Sequence, residues 1–408
     1  MYIKRTPTRL SALPVAGLLA CAIALPAAAD ISIDREVIKN SVSSNAASFD
    51  VVRLADGLEY PWGMAWLPDG RLLVTEKVGR LQLIDGDSVS EVGNLPPIAS
   101  GKEGRVPEDG QGGLLDVAVH PEYSSNGWIY FTYSSPGDDD ATLGDYEYGT
   151  ATAVFRARLS EDGTELVDRE HIYTQSPRVD PGRHYGSRIA FLGDGTMLVT
   201  IGDRGLRRPS QDLTDPAGSV VRLREDGGAH ADNPFVNAAP GNLRPEIHAF
   251  GTRNMQGLTT APDGTVWALE HGPRGGDLLF TVEAGDNFGW PQVAFAGDYS
   301  TEEPIGIGRE APGVKAPAHV WEGRMAPSGL AYYDGEAFPE WRGNLFAGSL
   351  GFEQLHRIML DGTNVVGEEV LLTEELGRIR DVAQGPDGYL YLLTDDEEGA
   401  LYKLRPTS

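Results

Sequence analysis

Two short stretches of the chain hold residues that together could move a proton. His184 stands at the start of a predicted β-strand, and Asp203 stands at the end of the next predicted strand. An imidazole works as a general base only when a partner fixes its tautomer, and a nearby carboxylate does so. The alternative is that Asp203 only caps the turn from Gly202 to Gly205. The pair predicts a general base at His184.

Cationic and amide side chains recur at the same position relative to the starts of other predicted strands. They stand at or just before the starts of these strands, and they are Gln111, Arg253, Asn254, Arg378 and Arg380. A lone arginine is more often a surface charge, but repetition at one phase is harder to explain in that way. Buried cations without partners are unfavourable, and the arginine fork suits planar carboxylates. The set therefore predicts an anionic ligand beside the histidine, as in oxidation of a substrate on an anionic cofactor.

A sequence repeat supplies the strands that position these residues. Each copy holds an apolar strand, a turn that is often Pro-Asp-Gly, and a second apolar strand, and this turn sequence favours a tight hairpin. The 51 glycines and 27 prolines among 408 residues also favour strands and turns over long helices. Six copies span nearly the whole chain, and they begin at Trp62, Gly113, Ser187, Gln256, Ser328 and Arg380.

The repeat predicts an all-β fold, a six-bladed β-propeller with four-stranded antiparallel blades. One small sheet cannot bury both of its faces alone, whereas six sheets arranged radially can. We expect the strand at 50–54 to complete the last blade, and inserted loops around 135–150, 206–245 and 293–325 to build the site. Residues 30–408 are assigned to this single domain, and two smaller β-domains are the alternative.

The first 29 residues have the pattern of an export signal. Three basic residues precede an apolar stretch, which ends in three alanines before Asp30. An uncleaved anchor and a lipoprotein attached through Cys21 are the alternatives, and the apolar run continues past Cys21, which argues against the second. No later segment is long and apolar enough to span a membrane. We therefore expect a signal peptide at 1–29 and a periplasmic or secreted protein without a membrane span.

The mature chain would be strongly acidic and would contain no cysteine. Cys21 is the only cysteine, so cleavage before Asp30 excludes disulfide and thiolate chemistry. The same cleavage removes three basic residues and changes the formal net charge from −26 to −29. Such a surface repels nucleic acid and anionic lipid, and its main effect is solubility. Excess carboxylates also favour calcium, but bulk charge does not locate a site.

Taken together, these motifs resemble the soluble quinoprotein aldose dehydrogenases, the glucose/sorbosone dehydrogenase family, and most closely its bacterial aldose sugar dehydrogenase branch. The members are six-bladed propellers that use pyrroloquinoline quinone (PQQ) and calcium. The resemblance covers most of the mature chain. It rests on the order and phase of six stretches, which are residues 110–115, 184–205, 253–258, 270–277, 289–291 and 377–382.

The resemblance implies a catalytic role for three residues. His184 would take the proton from the C1 hydroxyl of a sugar while hydride passes to the quinone, and Asp203 would orient His184 and raise its basicity. Arg253 would stabilise charge that develops on the quinone oxygen. The implied activity is oxidation of aldoses to lactones, with electrons leaving to an external acceptor, in a monomer or homodimer.

The resemblance also implies which groups hold the cofactor and the metal. Gln111, Asn254, Arg378 and Arg380 would bind PQQ, whose three carboxylates account for the cations. The backbone carbonyls of Gly272 and Pro273 would bind a calcium ion that also contacts and polarises the quinone. An ordinary loop is the alternative for these two residues, since backbone ligands leave little trace in a sequence.

Three positions depart from the family pattern. Gly351 stands where the family often has a cofactor-binding lysine, so one cation is missing unless a loop residue replaces it. The lost contact would weaken cofactor binding by roughly ten- to a hundredfold. Leu278 and Phe288 stand where an acid and a tyrosine are usual, which puts a second, structural calcium site in doubt.

Two other functions stay open from the sequence. One is a non-catalytic propeller that binds glycans or a protein partner. The other is a calcium-dependent lactonase, which needs carboxylates that converge on the axis, whereas the predicted axial set is mostly cationic. Trp290 and Trp321 could stack on a sugar or fill the core, and we expect His120 and His271 to be structural. The inserted loops would set the choice of sugar.

Overall fold

A computed structural model describes residues 31–100, 110–136, 149–179, 182–238 and 241–407. The predicted signal peptide lies outside these ranges. Within them the chain is almost entirely β-structure, with one helical turn, α1 (Tyr123–Asn126), and two 3-10 turns at Arg208–Gln211 and Pro339–Trp341. None of the helices in the described ranges has the length and hydrophobicity needed to cross a membrane.

The strands form six antiparallel sheets, which are the blades of a β-propeller. The chain opens with β1 (Ser32–Ser43) and β2 (Ser48–Leu58), and blade 1 follows with β3 (Pro61–Trp66), β4 (Leu72–Glu76), β5 (Arg80–Asp85) and β6 (Ser88–Glu91). Blade 2 contains β7 (Leu114–Val119), β8 (Ile129–Ser135), β9 (Ala151–Leu159) and β10 (Leu166–Thr174). Blade 3 contains β11 (Ile189–Phe191), β12 (Met197–Ile201), β13 (Ser219–Leu223) and β14 (Ile247–Phe250).

The remaining blades repeat this order. Blade 4 contains β15 (Met255–Thr260), β16 (Val266–Glu270), β17 (Asp277–Thr281) and β18 (His319–Trp321). Blade 5 contains β19 (Pro327–Tyr333), β20 (Asn344–Ser349), β21 (Leu355–Asp361) and β22 (Asn364–Leu371). Blade 6 contains β23 (Ile379–Gln384), β24 (Leu390–Thr394) and β25 (Gly399–Pro406), with β2 and then β1 beyond β25.

The predicted fold class, an all-β six-bladed propeller with four-stranded antiparallel blades, is confirmed. Each copy of the repeated phrase forms the two inner strands of its blade, and first strands of neighbouring blades contact one another. The turn between β3 and β4 illustrates the local cause. Gly70 has a φ of +93° and donates its N–H to the carbonyl of Leu67 at 2.9 Å, a conformation that L side chains disfavour.

The strand expected at 50–54 lies in β2 and closes the ring. It pairs with β25 from Phe49 opposite Pro406 to Leu58 opposite Gly399. The outer strand β1 was not predicted, because its side chains are polar and mostly exposed. Blade 6 therefore has five strands rather than four.

Apolar residues fill the spaces between neighbouring blades. One cluster joins Leu73 and Leu83 of blade 1 to Phe131 and Phe155 of blade 2. Because a blade is covered on both faces, second strands such as β4 are buried at every residue. Such strands appear in the sequence as short continuous apolar runs, which made them easy to find.

Two of the three expected inserts are not wholly loop. The stretch at 206–245 contains β13, and the stretch at 293–325 contains β18. These strands have five and three residues and lack the turn phrase, so the repeat did not reveal them. Most of the third expected insert, at 135–150, lies outside the described residues.

Candidate active site

His184 and Asp203 form a buried hydrogen-bonded pair. Nδ1 of His184 lies 2.6 Å from Oδ1 of Asp203, as the sequence predicted for an oriented base. His184 lies in the loop ahead of β11 rather than in the strand, with a φ of +56°, and Asp203 follows β12. A hydrogen bond of 2.6 Å from Ser187 N–H to the carbonyl of Thr200 holds the two segments together.

Asp203 is fixed from three directions. Its Oδ1 also accepts the N–H of Gly205 at 2.7 Å, and its Oδ2 accepts the indole N–H of Trp290 at 2.8 Å. The residue therefore caps the turn and also holds the histidine, so capping is not its only contact. Burial alone would raise the pKa of Asp203, but the bond and charge of His184 and the charge of Arg253 lower it below its usual value.

The environment of His184 favours the neutral imidazole. Burial lowers the pKa of His184, the hydrogen bond to Asp203 opposes this, and the charge of Arg253 lowers the pKa again, so that it lies below the usual 6.5. With Nδ1 donating to the carboxylate, Nε2 keeps its lone pair. This arrangement can accept a proton at Nε2.

Arg253 brings a positive charge beside the pair. Its backbone N–H donates to Oε1 of Glu270 at 2.7 Å, and its Nη1 donates to the carbonyl of His271 at 3.2 Å. Its guanidinium lies 5.6 Å from the ring centroid of Trp290. It forms no ion pair with any carboxylate in the described ranges. The charge is thus available to an anion that develops nearby.

The four side chains predicted to hold a cofactor line one cavity of about 250 Å³. Oε1 of Gln111 accepts the backbone N–H of His184 at 2.8 Å. Oδ1 of Asn254 accepts the N–H of Gly186 at 3.1 Å. These two amides therefore tie the loop of the histidine to the cavity wall, and they bring His184 and the cavity into one site.

Arg378 and Arg380 line the same cavity but are not free cations. The Nη2 atoms of both lie near Oδ2 of Asp395, at 2.8 and 3.0 Å, and Arg380 also donates to Oε1 of Gln256 at 3.1 Å. Burial alone would raise the pKa of Asp395, yet the two arginines hold it well below its usual range. The expectation of cations without partners is wrong for these two residues, because one carboxylate serves both and leaves a net positive charge.

Sequence reasoning missed the residues that directly follow the second strand of several blades. Lys77 follows β4, His271 follows β16, Leu350 follows β20 and Asp395 follows β24, and all four line the cavity. Within a blade the start of the first strand lies beside the end of the second. The sequence analysis compared residues at the starts of the first strands. The same comparison at the ends of the second strands would have identified these positions.

A buried ion-pair network lies behind the wall of the cavity. The guanidinium of Arg188 lies 3.0 Å from Asp116 and 2.9 Å from Asp381, and it packs 4.2 Å from the ring centroid of Trp62, which faces the cavity. Carboxylates therefore do reach the axis, contrary to the mostly cationic set predicted. They are paired with Arg188, so they join blades 2, 3 and 6 rather than form an open metal site.

The loop after β16 contains Gly272 and Pro273, whose carbonyls were predicted to bind calcium. The carboxylate of Asp277 accepts the N–H groups of Gly272 at 2.7 Å and of Ala326 at 2.8 Å, so it is committed to the loop. No hydrogen bond to the carbonyls of Gly272 or Pro273 is found within the part of the chain described. Those ranges also hold no group of three or more His, Cys, Asp or Glu side chains suited to a metal. A cation here would depend on the backbone carbonyls.

The two other departures from the family pattern lie in the core. Leu278 and Phe288 belong to one apolar cluster with Phe280, whose ring centroid is 4.7 Å from that of Phe288. The doubt about a second, structural calcium therefore has a physical basis, since apolar packing fills the position.

The aromatic candidates have structural contacts. Trp290 is bound to Asp203, and Trp321 is buried and donates its indole N–H to Glu368 at 2.5 Å. His120 is buried against Phe191, with ring centroids 5.1 Å apart. His271, by contrast, borders the cavity, while its Nε2 lies 2.5 Å from the carbonyl of Pro327.

Fold and site together define a β-propeller with a buried His–Asp pair next to a cavity lined by cationic and amide side chains. The chain belongs to the glucose/sorbosone dehydrogenase family, whose model matches residues 58–403. It is 36% identical over 366 residues to the aldose sugar dehydrogenase YliI of Escherichia coli, covering 88% of this chain and 94% of that protein.

Two solved structures extend the comparison. A glucose dehydrogenase crystal structure has a TM-score of 0.80 at 39% identity, covering 88% of this chain and 99% of that one. The PQQ-bound aldose sugar dehydrogenase of Streptomyces coelicolor has a TM-score of 0.71 at 27% identity, covering 89% of this chain and 99% of that one.

Proposed function

We propose that this protein is an exported, PQQ-dependent dehydrogenase that oxidises the C1 hydroxyl of aldose sugars to lactones. The observation that carries the proposal is the pair of His184 and Asp203 beside a cavity lined by cationic and amide side chains. Relatives that are an aldose sugar dehydrogenase and a PQQ-bound structure support the choice of substrate and cofactor.

His184 is the proposed base. Its Nε2 takes the proton of the C1 hydroxyl, and Asp203, 2.6 Å from Nδ1, stabilises the imidazolium that forms. The lowered pKa of His184 keeps the resting imidazole neutral at neutral pH. PQQ, when bound, supplies the electron-poor quinone carbon that receives the hydride. Arg253 stabilises negative charge on the acceptor side.

The cavity fits a planar tricarboxylate. Lys77, Arg378 and Arg380 face it with one carboxylate, Asp395, so the wall is positive. Gln111 and Asn254 add amide groups for hydrogen bonds. A calcium ion would sit on the carbonyls of Gly272 and Pro273, next to the cavity residue His271, where it would polarise the quinone.

Reconstitution tests the proposal directly. Purified apoprotein is supplied with PQQ and Ca²⁺, and reduction of an external dye is followed with hexoses, pentoses and disaccharides. We expect a shift in quinone absorbance on binding and dye reduction with at least one aldose. A shift without turnover on any sugar would instead favour a binding propeller, and the absence of both would overturn the cofactor assignment.

His184→Ala separates catalysis from binding in the same assay. We expect turnover to fall by about 10²–10⁴-fold, the usual contribution of a general base, while PQQ still binds.

The N-terminus of the protein recovered from an exporting host tests the proposed export signal, and we expect it to begin at Asp30. An intact N-terminus would contradict cleavage.

A further inference from the structure

Gly351 has no room for a side chain. A Cβ at this residue would lie 2.0 Å from the carbonyl oxygen of Arg324. The Gly351 N–H donates to the carbonyl of Met325 at 2.9 Å, and the Leu350 N–H donates to that of Ala326 at 3.1 Å. The loop after β20 is therefore packed backbone to backbone against the segment ahead of β19. A lysine at 351 is incompatible with this packing.

Lys77 supplies a cation to the cavity from blade 1. It lines the cavity together with Arg378 and Arg380. Its ammonium lies 4.6 Å from the ring centroid of Tyr60 and forms no ion pair with a carboxylate of the described ranges. The two arginines share Asp395, whereas Lys77 has no acid of its own.

The backbone of Lys77 is held in place from two sides. Its N–H donates to the carbonyl of Tyr60 at 3.0 Å. Gly113 of blade 2 packs so closely that a Cβ there would lie 1.9 Å from the carbonyl oxygen of Lys77. A side chain that starts from a fixed backbone loses less entropy when it binds a ligand.

The surroundings of Lys77 make its charged form less favourable than it would be in water. Burial lowers its pKa, and the charges of Arg380 and Arg378 lower it further against the opposing effect of Asp395. A carboxylate beside the ammonium would reverse this penalty. The side chain therefore has the position and the charge needed to bind an anion in the cavity.

We propose that Lys77 binds a carboxylate of PQQ and replaces the lysine that the packing at Gly351 excludes. This inference rests on the proposed function and adds a cofactor-binding residue to it. It also explains how a chain with glycine at 351 retains three cations around the cavity.

The test measures PQQ affinity of the apoprotein by absorbance titration, without turnover. Lys77→Met removes the charge at similar length, and we expect the Kd to rise by about ten- to a hundredfold. Lys77→Arg keeps the charge and should stay closer to wild type. Lys39→Met is the matched control, because Lys39 lies on the outer strand β1 and pairs with Glu375, and we expect no change in affinity.

PQQ monoesters identify the contact. One monoester blocks the carboxylate that Lys77 binds. Wild type should bind this ester more weakly than PQQ, whereas Lys77→Met should bind the ester and PQQ with similar affinity. Adding Gly351→Lys to Lys77→Met should not restore binding, since the backbone excludes that side chain. Lys77→Gln serves in place of Lys77→Met if circular dichroism shows that the methionine variant is unfolded.

The outcomes separate the two proposals. Wild type that binds no PQQ overturns the proposed function. Wild type that binds PQQ while the folded Lys77 variants bind equally well overturns only the role of Lys77. Equal losses for every monoester in wild type and in Lys77→Met would also exclude a direct contact and leave the dehydrogenase assignment intact.

Discussion

Trp290 donates its indole N–H to Oδ2 of Asp203 at 2.8 Å, the carboxylate oxygen that His184 leaves free. The tryptophan comes from the segment between β17 and β18, so blade 4 holds the His184–Asp203 pair carried by blade 3. The carboxylate cannot rotate without losing one of these bonds. The orientation of the Asp203 carboxylate beside His184 is thus set by contacts from two blades.

Trp290→Phe should lower turnover without removing the cofactor. A hydrogen bond to a charged group contributes about 1.5–3 kcal/mol, so we expect kcat to fall by roughly ten- to a hundredfold. Steady-state dye reduction and PQQ titration measure the two effects separately. Trp321→Phe is the matched control, since its indole binds Glu368. Equal losses in the two variants would mean that the Trp290 bond has no special part in catalysis.

The pH dependence of kcat/KM should follow His184. Its pKa lies below 6.5, and the base acts when neutral, so the acid limb should lie below pH 6.5 and activity should rise with pH through it. Asp203 raises this pKa. Asp203→Asn should therefore move the limb to still lower pH while kcat falls. A limb that moves upward in this variant would contradict the assignment.

Arg188→Met should destabilise the fold strongly. It leaves Asp116 and Asp381 buried without their cation, and breaking a buried pair in this way costs about 3–5 kcal/mol. Urea unfolding measures the change. Arg224→Met is the control, because the Arg224–Asp226 pair is exposed, and we expect a change below about 1 kcal/mol.

The stability loss in Arg188→Met should depend on pH. Burial raises the pKa of Asp381 to about 6 and also raises that of Asp116. The folded protein therefore disfavours the charged acids, and removal of Arg188 adds to this. As pH falls towards 5 the carboxyls bind protons, so the difference from wild type should shrink. A difference that grows at low pH would be evidence against the buried network.

Chelation should act on the cofactor more than on the fold. The proposed calcium rests on the carbonyls of Gly272 and Pro273, and the core at Leu278 and Phe288 is apolar. We expect treatment with a chelator to weaken PQQ binding, Ca²⁺ to restore it, and the unfolding temperature of the apoprotein to change little. A large fall in unfolding temperature would indicate a structural calcium that the apolar packing does not accommodate.

A substitution tests the shape of the same loop. A Cβ at Gly272 would lie 2.0 Å from the carbonyl oxygen of Gly275, so Gly272→Ala must move the loop. We expect weaker calcium-dependent PQQ binding in this variant. Gly193→Ala is the control, because a Cβ at Gly193 meets nothing within 4 Å. Unchanged binding in Gly272→Ala would argue against calcium on these carbonyls.

The fold could be predicted because its periodicity lies in the sequence. Pro-Asp-Gly turns such as that at Gly70 mark several of the inner hairpins, and second strands buried on both faces appear as apolar runs. Short outer strands such as β18 carry neither signal. The exposed strand β1 was missed for the same reason.

The site was half predicted. Strand starts revealed Gln111 and Arg380, but Lys77 and Asp395 stand at strand ends and became visible only when the pairing of strands was known. The net charge of the cavity wall could not be predicted from the sequence either. Asp395 neutralises part of the arginine charge, and a sequence does not show which acid meets which base across blades.

The pairing of β2 with β25 joins residues near the two termini, since Phe49 faces Pro406. The ring of blades is therefore closed only when β2 from the N-terminal part of the chain has paired with β25 from the C-terminal part. Loss of either terminal strand would leave an open edge, which is a template for aggregation. We therefore expect the fold to tolerate tags and truncations only outside the paired strands β2 and β25.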